Sequence, residues 1–276
     1  MTQDEKRQGV LKRIAEFEKQ GRFNDDVEID PPTKVILPDE VDYVNEKLSS
    51  RFLTRLANFC GKAYFELMIK KGTFVIKSIK GLENIPKEGA IITCNHFNIK
   101  DNYAVYRSIK PLLPRGHYLY KVIKEGNYNN FKGMVRLMMR HANTLPLSSD
   151  FATMKKFFSG VETLLARGEK ILIYPEQAMW FNYRKPRPLK TGAFKIAAKY
   201  SAPVIPAFIT MTDSDKIDEE GFTVQEYHIE FFKPITLDNT LPASVAAKKA
   251  ADENYRVWVE AYESFYGEKL VYTCDE

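Results

Sequence analysis

Short apolar runs alternate with stretches of helical periodicity along most of this chain, and the alternation predicts its architecture. Residues 90–95, 170–174 and 204–210 are continuous apolar runs of strand length, as strands buried on both faces require. Residues 73–79 alternate like a half-exposed strand, 117–123 and 144–147 read as short strands, and 225–235 as a longer one. Between them, 101–109, 131–140, 191–200 and 243–265 have helical spacing. Ser149 and Asp150 cap a further helix in which Phe151, Met154, Phe157, Phe158, Val161, Leu164 and Leu165 share one face until Gly168 ends it. The expected fold class is α/β: a largely parallel central sheet flanked by helices, with a helical N-terminal extension. Three segments result: an acidic extension over 1–47 that wraps the rest or stays mobile, an amphipathic helical segment over 48–72, and a main domain over 73–276. Sites in such sheets collect beyond the carboxyl ends of the strands, where His96 and the pair Pro175 and Glu176 fall.

Segment 48–72 has its own pattern. Leu48, Phe52, Leu56, Phe59, Ala63 and Leu67 form an apolar stripe, and Arg51, Arg55, Lys62, Lys70 and Lys71 supply positive charge. Such a helix either lies in the surface of an anionic bilayer or packs its stripe on the domain. No run approaches the roughly eighteen uncharged apolar residues of a spanning helix, and the N-terminus lacks the apolar core of a signal peptide. The expected location is cytoplasmic, peripheral on the inner face of a membrane, with no transmembrane span.

Composition adds a sizeable core, with 44% hydrophobic positions in 276 residues. Cys60, Cys94 and Cys274 are too dispersed for a disulfide framework, and no Cys/His spacing suits a structural zinc. Charge is uneven. Nine Lys/Arg lie between residues 100 and 140 against Asp101 and Glu125, and six lie between 184 and 199 with no acid, whereas both ends of the chain are acidic on balance. A basic middle implies an anionic partner on one face, unless its lysines are simply solvated.

The chemistry centres on His96, which ends the first buried run, and on Asp101, five positions later. An imidazole titrates near neutral pH, and a carboxylate on its far nitrogen fixes the tautomer and stabilises the imidazolium. On one ideal helix the two would stand about 140° apart, so they meet only if His96 sits in a loop and Asp101 starts the next helix. There Asp101 is also a favoured cap, and the pair then has a purely structural alternative.

Four blocks in order resemble the glycerolipid acyltransferase family that includes the lysophosphatidic acid acyltransferases. They are Asn95-His96-Phe97-Asn98-Ile99-Lys100-Asp101, matching the Asn-His-x-x-x-x-Asp box; Gly133-Met134-Val135-Arg136 through Thr144-Leu145-Pro146-Leu147; Ile173-Tyr174-Pro175-Glu176, matching the start of the aromatic-Pro-Glu-Gly-Thr-Arg box; and Ala202-Pro203-Val204-Ile205-Pro206-Ala207, preceded by Lys190-Thr191-Gly192. The resemblance covers roughly residues 74 to 210 and makes 73–276 the acyltransferase domain. It implies transfer of a fatty acyl group from acyl-CoA or acyl carrier protein, a co-substrate rather than a bound cofactor, to a hydroxyl of a lyso-glycerolipid such as 1-acyl-glycerol-3-phosphate. His96 would be the general base and Asp101 its orienting group, with no acyl-enzyme and no metal. Asn95 and Lys190 would contact substrate, Glu176 would bind an acceptor hydroxyl or brace its loop, and a long acyl chain would need an apolar tunnel.

The departures bear on the acceptor. The family's second and third boxes each carry an Arg associated with the acceptor phosphate, whereas here Leu147 is followed by Ser148-Ser149-Asp150 and Glu176 by Gln177-Ala178-Met179-Trp180. The Gly after the Glu is missing too. An arginine fork is the natural partner of a phosphate. Either Arg184, Lys185, Arg187 and Lys190 replace it, or the acceptor lacks a phosphate and is a glycolipid or lyso-lipid. Trp180 would stack on a sugar, enter lipid or pack a turn. Rival readings are a non-catalytic lipid or carrier-protein binder and, with no recognition motif to support it, a nucleic-acid binder, so no nucleic-acid partner is expected. A metal hydrolase lacks a third ligand.

Overall fold

The computed structural model describes residues 3–275. Its sheet contains β1 (Val75–Lys80), β2 (Ala90–Thr93), β3 (Leu119–Ile123), β4 (Thr144–Pro146), β5 (Lys170–Ile173), β6 (Val204–Ile217) and β7 (Thr223–Phe231), in the spatial order β1-β7-β6-β2-β5-β3-β4. Strands β6, β2, β5, β3 and β4 run parallel to one another; β7 is antiparallel to β6, and β1 runs parallel with β7. The helices are α1 (Gln3–Lys19), α2 (Leu48–Lys71), α3 (Asp101–Ile109), α4 (Glu125–Asn129), α5 (Gly133–His141), α6 (Phe151–Ala166), α7 (Gly192–Tyr200) and α8 (Ala243–Tyr266).

Central position explains the apolar runs. Every residue of β2 and β5 is buried, and so is the first half of β6, because helices cover both faces there. On one face Ile91, Ile171, Ile173 and Val204 meet Phe157, Val161 and Leu164 of α6, Phe194 of α7 and the Ala247–Ala251 stretch of α8. On the other, Ile92, Leu172, Ile205 and Ala207 meet Tyr103, Val105 and Ile109 of α3, with Phe65, Met68 and Ile69 of α2 packed alongside. The Asp150 cap forms as its sequence requires, its carboxylate accepting from the Thr153 N–H at 2.7 Å.

Two strand ends differ from the sequence expectation. Strand β6 continues beyond Thr210 to Ile217, where Thr212 to Asp215 alternate between half-buried and exposed and the last two residues are exposed, while the strand pairs with β7. An apolar run reports only the part of a strand that is buried. Strand β7 stops at Phe231, before Pro234, which has no N–H to donate; beyond it Ile235 makes only an isolated bridge to Val204.

The acidic extension wraps the domain. Val10 and Ile14 of α1, with Phe23 and Val27, cluster on Ala178, Trp180 and Phe181 of the loop after β5. Residues 23–36 then cross the carboxyl edge of the sheet. Phe23 and Asp25 carbonyls accept from Arg187 and Trp180, Asp26 and Asp30 pair with Lys124 just after β3, and the Ile36 N–H donates to Glu125. Helix α2 keeps its predicted stripe outward: Leu48, Phe52, Phe59 and Leu67 are 81, 67, 72 and 52% exposed, while Thr54 and Ala57 are buried. Its neighbour α5 buries no residue and leaves Met134 and Val135 exposed.

Candidate active site

Strand β2 delivers the chain to the site. Its backbone pairing with β6 ends at Thr93 and Pro206, but the Asn95 carboxamide extends it, donating to the Ile209 carbonyl at 3.0 Å and accepting from the Ile209 N–H at 2.9 Å. This anchors the start of the loop that carries His96. The loop turns straight into α3, whose first residue is Asp101, so the pair meets across a turn rather than along a helix. The His96 Nδ1 lies 2.8 Å from Asp101 Oδ2.

Asp101 is fully buried and heavily hydrogen-bonded. Besides His96, its Oδ2 accepts the N–H groups of Phe97 and Asn98 at 3.2 Å each, and its Oδ1 accepts the Tyr174 hydroxyl at 2.7 Å. Each of these partners donates to it, at the N-terminal end of a helix. With Asp101 as acceptor, Nδ1 carries the proton and Nε2 keeps its lone pair. The His96 side chain is 18% exposed, which leaves that nitrogen within reach of a substrate. The Tyr174 ring lies flat on the imidazole, centroids 4.0 Å apart and planes 18° from parallel.

The loop after β5 is tied to the same turn. The Trp180 N–H donates to the His96 carbonyl at 3.1 Å and the Asn182 N–H to the Phe97 carbonyl at 3.0 Å. Glu176 is buried, with Oε2 accepting the His96 N–H at 3.0 Å and Oε1 the Arg187 N–H at 2.8 Å. A family profile described as Acyltransferase matches residues 77–210, a segment holding all of these groups. Over that segment, just under half of the chain, the protein is similar to the acyltransferases. The acyltransferase fold extends further along the chain: the 1-acyl-sn-glycerophosphate (LPA) acyltransferase PlsC from Thermotoga maritima superposes with a TM-score of 0.55 at 18% identity, covering 81% of this chain and 83% of that one. Comparison with the curated proteins found none that matches.

The structure also gives the surroundings of the other residues singled out from the sequence. Both ends of the Asn95 amide are engaged by the β6 backbone. Glu176 and Arg187 are buried and engage each other. The Arg187 Nη2 pairs with Glu176 Oε2 at 3.0 Å and also donates to the Ala178 carbonyl, Nη1 donates to the Phe23 carbonyl, and the guanidinium lies over the Trp180 ring at 4.7 Å. Trp180 is fully buried and its Nε1 donates to the Asp25 carbonyl, so it neither stacks on a sugar nor enters lipid. Arg184 pairs with Asp213 at 2.8 Å and is about one-third exposed. The Lys190 side chain is exposed, and its N–H donates to the Pro175 carbonyl.

Five of the fifteen basic residues counted in the middle of the chain meet acids of their own chain. Lys124 pairs with Asp26, Lys185 with Glu18, Arg107 with Glu66, Arg184 with Asp213 and Arg187 with Glu176. The missing Gly after Glu176 has a visible counterpart. Gln177 sits there with φ of 65°, a conformation glycine adopts without strain. Two grooves, of about 480 Å³ between α6 and α7 and about 200 Å³ beside residues 39–53, are lined by neither His96 nor Asp101, so neither is the acyl tunnel expected at the base. Among the described residues, no cluster of three or more metal-ligating side chains occurs and no helix is long and apolar enough to cross a membrane.

The role of Tyr174 escaped the sequence reading. Its only signal was the aromatic position of the third box, which does not distinguish a phenol from a phenyl ring.

Proposed function

We propose that the domain transfers a fatty acyl group from a thioester donor, acyl-CoA or acyl carrier protein, to a hydroxyl of a lyso-glycerolipid, with His96 as general base oriented by Asp101. The observation that carries this reading is the 2.8 Å contact between His96 Nδ1 and the buried Asp101, with the opposite ring edge accessible. The acceptor hydroxyl gives its proton to Nε2 as its oxygen attacks the thioester carbonyl. The C–S bond then breaks, and the imidazolium returns the proton to the departing thiolate. A thioester is already activated, so a base and proximity carry most of the catalysis, and no covalent enzyme intermediate is needed.

The acceptor divides into two readings. A 1-acyl-glycerol-3-phosphate-like molecule follows from the resemblance, whereas the pairing of Arg184 and Arg187 with Asp213 and Glu176 favours a lyso-lipid or glycolipid without a phosphate at that point. Peripheral attachment to an anionic membrane completes the proposal. What supports it is the outward stripe of α2 beside Arg51, Arg55 and Lys62, on a helix whose second half leans on α3 through the Phe65 and Tyr103 rings, 4.6 Å apart. The test is acyl transfer by the purified protein from labelled acyl-CoA or acyl carrier protein to a panel of lyso-phosphatidate, lyso-phospholipids and glycolipids, with His96→Ala as the blank. Turnover of at least one acceptor is expected. No transfer to any of them, or equal transfer in the blank, overturns the proposal.

A further inference from the structure

We infer that Tyr174 is a positioning residue for the His96 and Asp101 pair: its hydroxyl holds the second oxygen of the carboxylate and its ring fixes the plane of the imidazole. The inference rests on the reading of His96 as the base.

The hydrogen bonds of Asp101 divide sharply between its two oxygens. Oδ2 receives three N–H donors, from His96, Phe97 and Asn98. The bond that Oδ1 receives comes from the Tyr174 hydroxyl at 2.7 Å. Asp101 has no exposed surface, so water does not take the place of that donor. Without it, half of a buried carboxylate would lack a partner, and the group would be free to rotate away from the imidazole. The ring acts on the other member of the pair. Stacked at 4.0 Å and 18°, it blocks rotation of the imidazole about its own axis and keeps Nε2 on the accessible edge. One side chain, placed immediately after β5, therefore restrains both partners delivered by β2 and α3.

Tyr174 is suited to permanent donation. Burial first, and the adjacent Asp101 charge second, push its phenol well above the ordinary range, so it remains protonated at any working pH. The other titratable groups facing the pair are Cys94, just after β2, and Tyr227 of β7, both pushed up by burial and by Asp101, and Glu176, which is matched by Arg187. Lys100, next to Asp101 in sequence, points its ammonium at the Thr73 carbonyl. None of these supplies a donor to Oδ1.

The test is the pH profile of kcat/KM for the full chain with the acceptor it turns over. In its working form the pair carries one negative charge, and a donor stabilises that form. Removing the donor makes the pair take up its proton at higher pH. Tyr174→Phe, which deletes one oxygen and keeps the stack, should therefore move the acid limb upward by about one pH unit and lower kcat at the optimum about tenfold. Site-specific 3-fluorotyrosine at 174, a more acidic and stronger donor, should move the limb the opposite way, and it carries the test alone if Tyr174→Phe does not fold. A superimposable acid limb, or a shift of the reversed sign, overturns the inference. If His96→Ala is inactive while the Tyr174 variants keep the parent profile, only this inference fails. If His96→Ala turns over normally, the base assignment fails and takes the inference with it.

Discussion

Replacing Arg187 by Met separates a structural role from a substrate-binding one. The side chains of Arg187 and Glu176 are only 1% and 2% exposed, so the change strands a carboxylate that water does not reach. Glu176 keeps the N–H groups of His96 and of residue 187 itself, which limits the penalty. The Phe23 and Ala178 carbonyls each lose a donor, and Trp180 loses the cation over its ring. Breaking a buried ion pair from one side costs roughly 3–5 kcal/mol, and the two remaining backbone donors put the expected loss near the lower figure, about 3 kcal/mol. Methionine keeps most of the apolar stem, so little of that loss is packing. Urea unfolding of the full chain measures it as a lowered midpoint at unchanged slope. In a double-mutant cycle with Glu176→Gln, the two residues should couple by about 2 kcal/mol or more. The ratio of activity on phosphate-bearing to phosphate-free acceptors should stay the same in Arg187→Met. A cost under about 1 kcal/mol, additive effects, or a selective loss on the phosphate-bearing acceptor would refute the reasoning and return Arg187 to the substrate.

Two further predictions concern the surface and the wrapped extension. Phe52→Glu with Phe59→Glu should weaken cosedimentation with anionic vesicles at least tenfold without changing the unfolding midpoint, because each exposed ring contributes about 1.5–3 kcal/mol when it leaves water; unchanged binding would remove α2 from the membrane contact. Glu125 anchors the extension, and although burial raises its pKa, the donors Ile36 N–H, Ser148 and Ser149 outweigh burial and hold it below the ordinary 4.5. A depressed folded value gives stabilisation that is present above the unfolded value and lost as pH falls through the folded one. Hydrogen exchange at the Ile36 amide should therefore accelerate, beyond its intrinsic pH dependence, as pH falls below 4.5, and Glu125→Gln should abolish that extra term.

The sequence carried the architecture because the sheet is covered on both sides. The continuous apolar runs at 90–95, 170–174 and 204–210 mark β2, β5 and the buried half of β6, and the helical periods of α3 and α6 are written in which residues face the sheet. The polar second half of β6 and the five-residue α4 leave no such signature. At the site, the approach of His96 to Asp101 was legible because it depends on local chain geometry. The partners of Glu176 and Arg187 were not, because Phe23 and Trp180 meet them through the fold and no local spacing encodes that. The same holds for Asn95, whose amide serves a strand more than a hundred residues away in sequence. The basic middle was visible as charge, but its pairing with Asp26, Glu18 and Asp213 depends on how the acidic ends wrap back.

Proton transfer by His96 depends, in the proposed reaction, on the Asp101 charge orienting and stabilising it, and Asp101→Asn tests this most directly, since it keeps the shape and removes the charge. With circular dichroism and the unfolding midpoint confirming a folded protein, kcat for acyl transfer should fall by about 10³–10⁴-fold, the scale seen when a base loses its orienting carboxylate. A variant that stays folded and retains kcat within about tenfold of the parent would contradict the central claim.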